Sequence, residues 1–355
     1  MNPRAAGAWT ATRPVLKMFV GAFAALAIVL TPTAAAGVKA QSPEGRQGAY
    51  VDVGVATLWV EPRTDRPIDK PAVSDPSDIR RWQRSMSLKQ KRWLVGRLQT
   101  QALYGQKVVI LKRSGRWVKV AVKGQPTPRN DLGYPGWMPE RQLTYNAGLS
   151  RYERRAFVQV KSPTTWLYDT DKLDSRFIEV SYATRLPLLA KRDGAIKVAT
   201  LHGDKWVKAS DASVYASESA IPKPTGKRLV ESAKKFLRLP YLWAGTSGFG
   251  FDCSGFTYTV YKAHGITLPR DTVTRAQLED PGLVGGKAVR SYADLRRGDL
   301  EYFAYEGGAG YIHHVGMYVG DGRMIHSPNP SRGVEIISIE RSGLIKEYAG
   351  AIRYY

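Results

Sequence analysis

Two passages of this chain repeat one another, and the repeat limits what its first half can be. "LKRSGRWVKVAV" (Leu111 to Val122) and "LAKRDGAIKVAT" (Leu189 to Thr200) each read as a strand, a Lys-Arg-x-Gly turn and a second strand. Each is followed by a further strand bearing a tryptophan, Trp137 in the first copy and Trp206 in the second. From Tyr50 to Tyr215 short β-branched and aromatic runs alternate with turn residues, which predicts small all-β units. The first copy is longer because "KGQPTPRNDLGY" is inserted and because Pro67 to Leu98 adds a segment with a helix. Repeated small barrels beside another unit usually serve recognition, although each tryptophan taken singly is as readily core.

Pro222-Lys223-Pro224 marks a linker, and the pattern changes after it. Thr225 can cap a helix over Lys227 to Leu237, and a second helix starts near Cys253 and stops at Gly265. Strands follow in "GDLEYF", "HHVGMYV", "RMIHS" and "GVEIISI". Helices first and an antiparallel sheet afterwards make an α+β layout. At the other end, Arg4, Arg13 and Lys17 precede the apolar run Met18 to Leu30, too short to span a bilayer and suited to an export signal. Small residues then place cleavage near 36 or 40. The expected organisation is a leader over 1–40, a first β unit over 41–149, a second over 150–221 and a catalytic unit over 222–355.

The formal charge is +22, of which the leader carries four, leaving about +18 on the exported chain. Such a surface accumulates on polyanions. Outside a cell these are anionic wall polymers or membrane head groups, and the scattered Lys and Arg speak against nucleic acid. A monomer is expected.

Cys253 is the only cysteine in 355 residues, so no internal disulfide staples the domains. It stands in the first turn of its helix, where backbone N–H groups and the helix dipole favour a thiolate and fast alkylation at neutral pH. A nucleophilic thiol needs a base. His264 lies at the far end of the same helix and His202 in the second repeat, which leaves His313, His314 and His326 on the strands. No metal-ligand spacing is visible, and no cofactor is required.

"YLWAGTSGFGFDCSGFTYTVYKAHGITLPRDT", "LRRGDLEYF" and "HVGMYVGDGRMIH" resemble the three blocks of the NlpC-type cysteine peptidases of bacterial cell walls. The resemblance implies a papain-like catalytic domain with Cys253 as nucleophile, His314 as base and His326 as its orienting partner. "VATLWVEPRTDRPID", "TQALYGQKV" and "GYPGWMPERQL" resemble the paired bacterial SH3-like domains of the γ-D-glutamyl-L-diamino acid endopeptidases, which cut wall peptides bearing a free N-terminal L-alanine. By that resemblance Tyr134, Tyr241, Asp252, Ser254, Asp271 and Thr272 line the substrate pocket, with Asp271 or Asp252 receiving the alanine ammonium. Thr272 stands where serine is usual. Gln99-Thr100-Gln101 stands where an acidic residue is expected. Two other readings stay open: a non-catalytic wall-binding protein, and a general hydrolase of intact wall.

The hairpin carrying the histidines has a parity requirement. A plain two-residue turn at Asp321-Gly322 sets His326 opposite Met317 and sends the two imidazoles to opposite faces. A three-residue Gly320-Asp321-Gly322 loop, or a bulge of the same parity, sets His326 opposite Gly316 and brings the rings together, with His313 turned away.

Overall fold

The computed structural model describes residues 47–145, 147–152 and 155–355. The expected leader lies outside them. In the first β unit, β1 (Gly48–Val51), β2 (Val55–Trp59), β3 (Leu98–Leu103), β4 (Lys107–Ser114), β5 (Trp117–Val122), β6 (Tyr134–Pro139) and β7 (Leu143–Thr144) form one sheet in the order β3-β2-β6-β5-β4-β1-β7. In the second, β8 (Phe157–Val160), β9 (Thr164–Tyr168), β10 (Arg176–Ser181), β11 (Arg185–Arg192), β12 (Ala195–Thr200), β13 (Gly203–Lys208) and β14 (Ala212–Tyr215) take the order β10-β9-β13-β12-β11-β8-β14. The two orders are the same permutation, so the repeat read from sequence is a repeat of topology. Even the irregularity recurs. Register shifts between Ile110 and Lys112 in one hairpin and between Leu188 and Ala190 in the other, each at the leucine that opens the repeated passage.

The insertion in the first unit folds as three short helices rather than one: α1 (Lys70–Val73), α2 (Ile79–Ser85) and α3 (Leu88–Trp93). Asp78 and Ser87 cap the latter two. Trp82 of α2 is fully buried 6.5 Å from Trp59, in a cluster that also holds Trp117, Trp137, Leu242 and Phe249. Trp206 is buried in the second unit. These rings are core and present no recognition surface.

The remaining third has the α+β layout expected of it. α4 (Gly226–Lys234) is capped by Thr225 and stops short of the expected Leu237. β15 (Thr246–Ser247) and β16 (Gly250–Phe251) form a small hairpin that leads into α5 (Cys253–Ala263), and α6 (Arg275–Glu279) follows. A six-stranded sheet runs β17-β22-β18-β19-β20-β21, made of β17 (Lys287–Val289), β18 (Leu300–Ala304), β19 (Ile312–Gly320), β20 (Arg323–His326), β21 (Glu335–Ser338) and β22 (Tyr348–Arg353). Leu229, Val230 and Ala233 of α4 and Phe256 and Val260 of α5 pack on Leu300, Tyr302, Val315, Met317, Ile325 and Ile352 of the sheet. Full burial of each larger apolar side chain contributes roughly 1.5–3 kcal/mol.

α5 is held at its C-terminal end and at its middle as well as along its face. Gln159 Nε2 and Arg185 of the second β unit donate to the carbonyls of Ala263 and Lys262, at 2.8 and 3.2 Å. Tyr258 donates to the carbonyl of Gly124 in the first unit at 2.7 Å. The helix that carries the sole thiol is therefore fixed by all three parts of the chain.

Candidate active site

The passage "DCSG" places Cys253 by three local constraints. The Asp252 carboxylate accepts from the N–H of Gly255 at 2.6 Å and caps α5. Gly255 must lack a side chain, because a Cβ there would stand 2.0 Å from the carbonyl oxygen of Gly245. Arg270, 1 % exposed, then grips Asp252 through both carboxylate oxygens at 2.9 and 3.3 Å, donates to Ser254 Oγ at 3.1 Å, and reaches Thr100 of β3 at 3.0 Å. Arg270 is a residue that sequence reasoning passed over, although it sits beside Asp271 in the quoted block.

Across from α5, the hairpin β19–β20 solves its parity by a bulge. Gly320 pairs with Arg323 across a two-residue Asp321-Gly322 turn, and both turn residues have positive φ, 54° and 64°. The register then shifts between Tyr318 and Gly320, so Met317 faces Ile325. His326 consequently falls opposite Gly316, where a Cβ would stand 2.5 Å from Met324 Sδ and 3.4 Å from His326 Cβ. Of the two forms that meet the parity requirement, the structure takes the bulge, on a two-residue turn, rather than the three-residue loop. His314 Nε2 and His326 Nδ1 lie 2.8 Å apart with both side chains buried. His313 points elsewhere: its Nε2 meets Glu347 at 3.1 Å and its ring stacks on Tyr305 at 4.1 Å.

Behind His326 stands Glu335, its direct cross-strand partner, with Oε1 3.4 Å from His326 Nε2 and Oε2 bonded to Arg332 at 2.6 Å. A strand register joins these two residues, and nothing in their sequence spacing announces it.

One cavity of about 1180 Å³ is lined by Cys253, His314 and His326 and by all six expected pocket residues, Tyr134, Tyr241, Asp252, Ser254, Asp271 and Thr272. Within it their situations differ. Ser254 is drawn into the Arg270 network, and Thr272 donates to the carbonyl of Ile312 at 3.3 Å. Asp271 accepts from the Tyr134 hydroxyl at 2.9 and 3.0 Å and is partly exposed. Asp252 is held by the buried Arg270, whereas Asp271 has only the half-exposed Arg129 nearby, at 3.8 Å. Of the three residues where an acid was expected, Gln99 lines the cavity. Thr100 and Gln101 are buried, and Gln101 instead bonds the β15 turn through Thr246 and Ser247.

The thiol does not follow the expectation drawn from its place at a helix N-terminus. Burial pushes Cys253 up to about 12, the Asp252 carboxylate adds to this, and the N–H groups of Ser254 and Val315 pull down without prevailing. Burial and the neighbouring histidines hold His314 well below its ordinary range, and burial with Arg332 nearby lowers His326 to about 4. Both shifts favour the neutral pair, thiol and imidazole, over thiolate and imidazolium. A consequence for stability follows from the sign. The unfolded chain protonates these histidines near 6.5 and the folded one only much lower, so the unfolded state binds more protons between about 6.5 and 4. Stability should fall as pH drops through that window, by on the order of 2–3 kcal/mol for His326 alone. Melting temperature measured against pH should show a shallower fall in His326→Asn than in the unchanged chain; equal slopes would contradict a neutral buried His326.

The NlpC/P60 family matches residues 238–353, and the YKFC SH3b2 domain matches residues 160–215. The chain is 50% identical over 309 residues, 86% of its length and 90% of the relative's, to a gamma-D-glutamyl-L-lysine dipeptidyl-peptidase of Bacillus cereus. It is 38% identical over 303 residues, 85% of its length and 97% of the relative's, to the protein of the same name from Bacillus subtilis. The crystal structure of a Bacillus cereus NlpC/P60 family protein superposes with a TM-score of 0.80 at 50% identity, covering 86% of this chain and 99% of that one.

Proposed function

The chain belongs to the NlpC/P60 family of cysteine peptidases, and on that premise we propose that it hydrolyses the bond between γ-D-glutamate and the diamino acid of peptidoglycan peptides. The observation that carries the reading is the convergence of the sole thiol, the His314–His326 pair and the Asp271–Tyr134 pair on one cavity. In this reading His314 Nε2–H donates to His326 Nδ1, which leaves His314 Nδ1 to take the thiol proton. The alternative tautomer of His326, protonated on Nδ1, is disfavoured because its bare Nε2 would then face the Glu335 carboxylate, whereas the Nε2–H form turns a donor toward it. Because thiol and imidazole start neutral, proton transfer accompanies attack of Sγ on the γ-carbonyl carbon. The C–S bond forms, the carbonyl electron pair moves to oxygen, and the oxyanion is met by the N–H of Cys253 and by the hydroxyl of Tyr241. Burial and the proximity of Cys253 and Asp252 keep that phenol protonated and able to donate. Collapse of the intermediate breaks the C–N bond, and the imidazolium of His314 protonates the leaving amine. Water then attacks the thioester with His314 again as base, releasing the glutamyl carboxylate and the thiol.

Asp271 takes the alanine ammonium, which makes a dipeptide end the preferred fit. The sequence leader supports export, and the charge of about +18 left on the exported chain supports retention near anionic wall polymers. The test compares L-Ala-γ-D-Glu-L-Lys, its N-acetyl form and intact sacculi. Acetylation should lower kcat/KM about tenfold, a loss of ~1.4 kcal/mol, and sacculi should release little. Equal rates on all three would replace this reading by a general wall hydrolase.

A further inference from the structure

A cation already sits where the proposed substrate would bring its ammonium. Arg129 belongs to the passage that lengthens the first repeat, and it lines the cavity. Its Nη1 donates to Gln99 Oε1 at 2.5 Å, its Nη2 lies 3.8 Å from Asp271 Oδ2, and its guanidinium lies over the Tyr134 ring at 5.3 Å. The side chain is 50% exposed. One neutral amide, one loose charge contact and one ring face hold it, so it can leave. Two acidic residues line this cavity, and the other, Asp252, is bound to the buried Arg270.

We propose that Arg129 is a displaceable counter-ion of Asp271 that sets how strongly this enzyme prefers a free alanine ammonium to an acylated one. The proposal rests on the reading that Asp271 receives the ammonium. An entering ammonium either displaces the guanidinium or shares a single carboxylate with it, and both routes subtract from the Coulomb gain. An acylated end leaves Asp271 beside Arg129 and so strands no charge. Discrimination is therefore narrower than a lone Asp271 would give. Gln99 matters for the same reason. Its amide positions the guanidinium without neutralising it, whereas a carboxylate at 99 would hold Arg129 and release Asp271 for the substrate.

The experiment is steady-state kinetics on L-Ala-γ-D-Glu-L-Lys and its N-acetyl form, with Arg129→Ala and Gln99→Glu compared with the unchanged enzyme. Both variants should lower KM for the free-amine peptide by about two- to fivefold, the range for a partly exposed ion pair. The change should appear in KM rather than kcat, and the ratio of free-amine to acetylated kcat/KM should rise by a similar factor. A KM for the free-amine peptide that stays constant or rises in both variants overturns the proposal. So does a loss of kcat on both peptides alike in Arg129→Ala, since that is the signature of a loop-packing role. Failure of the unchanged enzyme on the free-amine peptide would instead sink the proposed function, and would be seen before any variant is made.

Discussion

Cys253→Ala should reduce hydrolysis of a wall peptide by at least about 10⁴-fold while leaving melting temperature within a few degrees of the unchanged chain. The sequence contains no second thiol to substitute for it, and removal of a nucleophile leaves only what binding and oxyanion contacts contribute. The fold has little reason to change. α5 keeps its Asp252 cap, its carbonyl contacts to Gln159 and Arg185, and its apolar face on the sheet. The raised thiol pKa adds a second expected result. Iodoacetamide should alkylate Cys253 more slowly at pH 7 than it alkylates free cysteine, and the rate should climb with pH well beyond 8.5, because burial and Asp252 oppose the thiolate. Substrate turnover at pH 7 is compatible with this, since attack draws the proton to His314 as the bond forms. Rapid alkylation at pH 7 would instead require a standing thiolate–imidazolium pair.

Arg270→Met should destabilise the folded chain by about 3–5 kcal/mol, the usual cost of stripping one partner from a buried ion pair. Asp252 would be left 8 % exposed, with only the Gly255 N–H and Ser254 hydroxyl to answer its charge. The loss extends beyond that pair. Arg270 also reaches Thr100, whose hydroxyl donates to Gln125, which in turn donates to the carbonyl of Gln101. One guanidinium thus joins the cap of the catalytic helix to a strand of the first β unit. Arg270→Lys should recover only part of the loss, because an ammonium cannot serve two carboxylate oxygens, a serine and a threonine with the same fork geometry. Adding Asp252→Asn to Arg270→Met should return some stability by removing the stranded charge. Denaturant titration gives the measurement, and a change below about 1 kcal/mol would mean that water reaches Asp252.

What was legible in the sequence was what is encoded locally. The helix at Cys253 has its cap, its glycine and its apolar face within a dozen consecutive residues, and the repeat is visible because both copies keep the same strand, turn and strand. The parity of the histidine hairpin could be required from the chemistry, yet its means could not be chosen. A bulge near Val319 and a third loop residue satisfy the same condition, and φ of 99° at Gly320 suits either. Arg270 and Glu335, and the bonds Gln101 makes to Thr246 and Ser247, were missed for one shared reason: each acts on a residue distant in sequence, brought to it by packing or by strand register. β22 was missed because Gly350, with φ of 144°, interrupts the alternation that marks a strand, and β17 because three residues are too few to show one. Glu301 shows the reverse problem. In "GDLEYF" it reads as the polar face of a strand, but it is fully buried with neither carboxylate oxygen hydrogen-bonded, which drives its carboxyl well above the usual range.

If this cavity directs the Cys253 thiol to one bond, the position of the cut reveals it. L-Ala-γ-D-Glu-L-Lys-D-Ala incubated with the enzyme and followed by mass spectrometry should yield L-Ala-D-Glu and L-Lys-D-Ala, with neither product formed by Cys253→Ala. Cleavage at the alanine–glutamate or lysine–alanine bond, or the same products from Cys253→Ala, would mean that the thiol is not aimed at that bond.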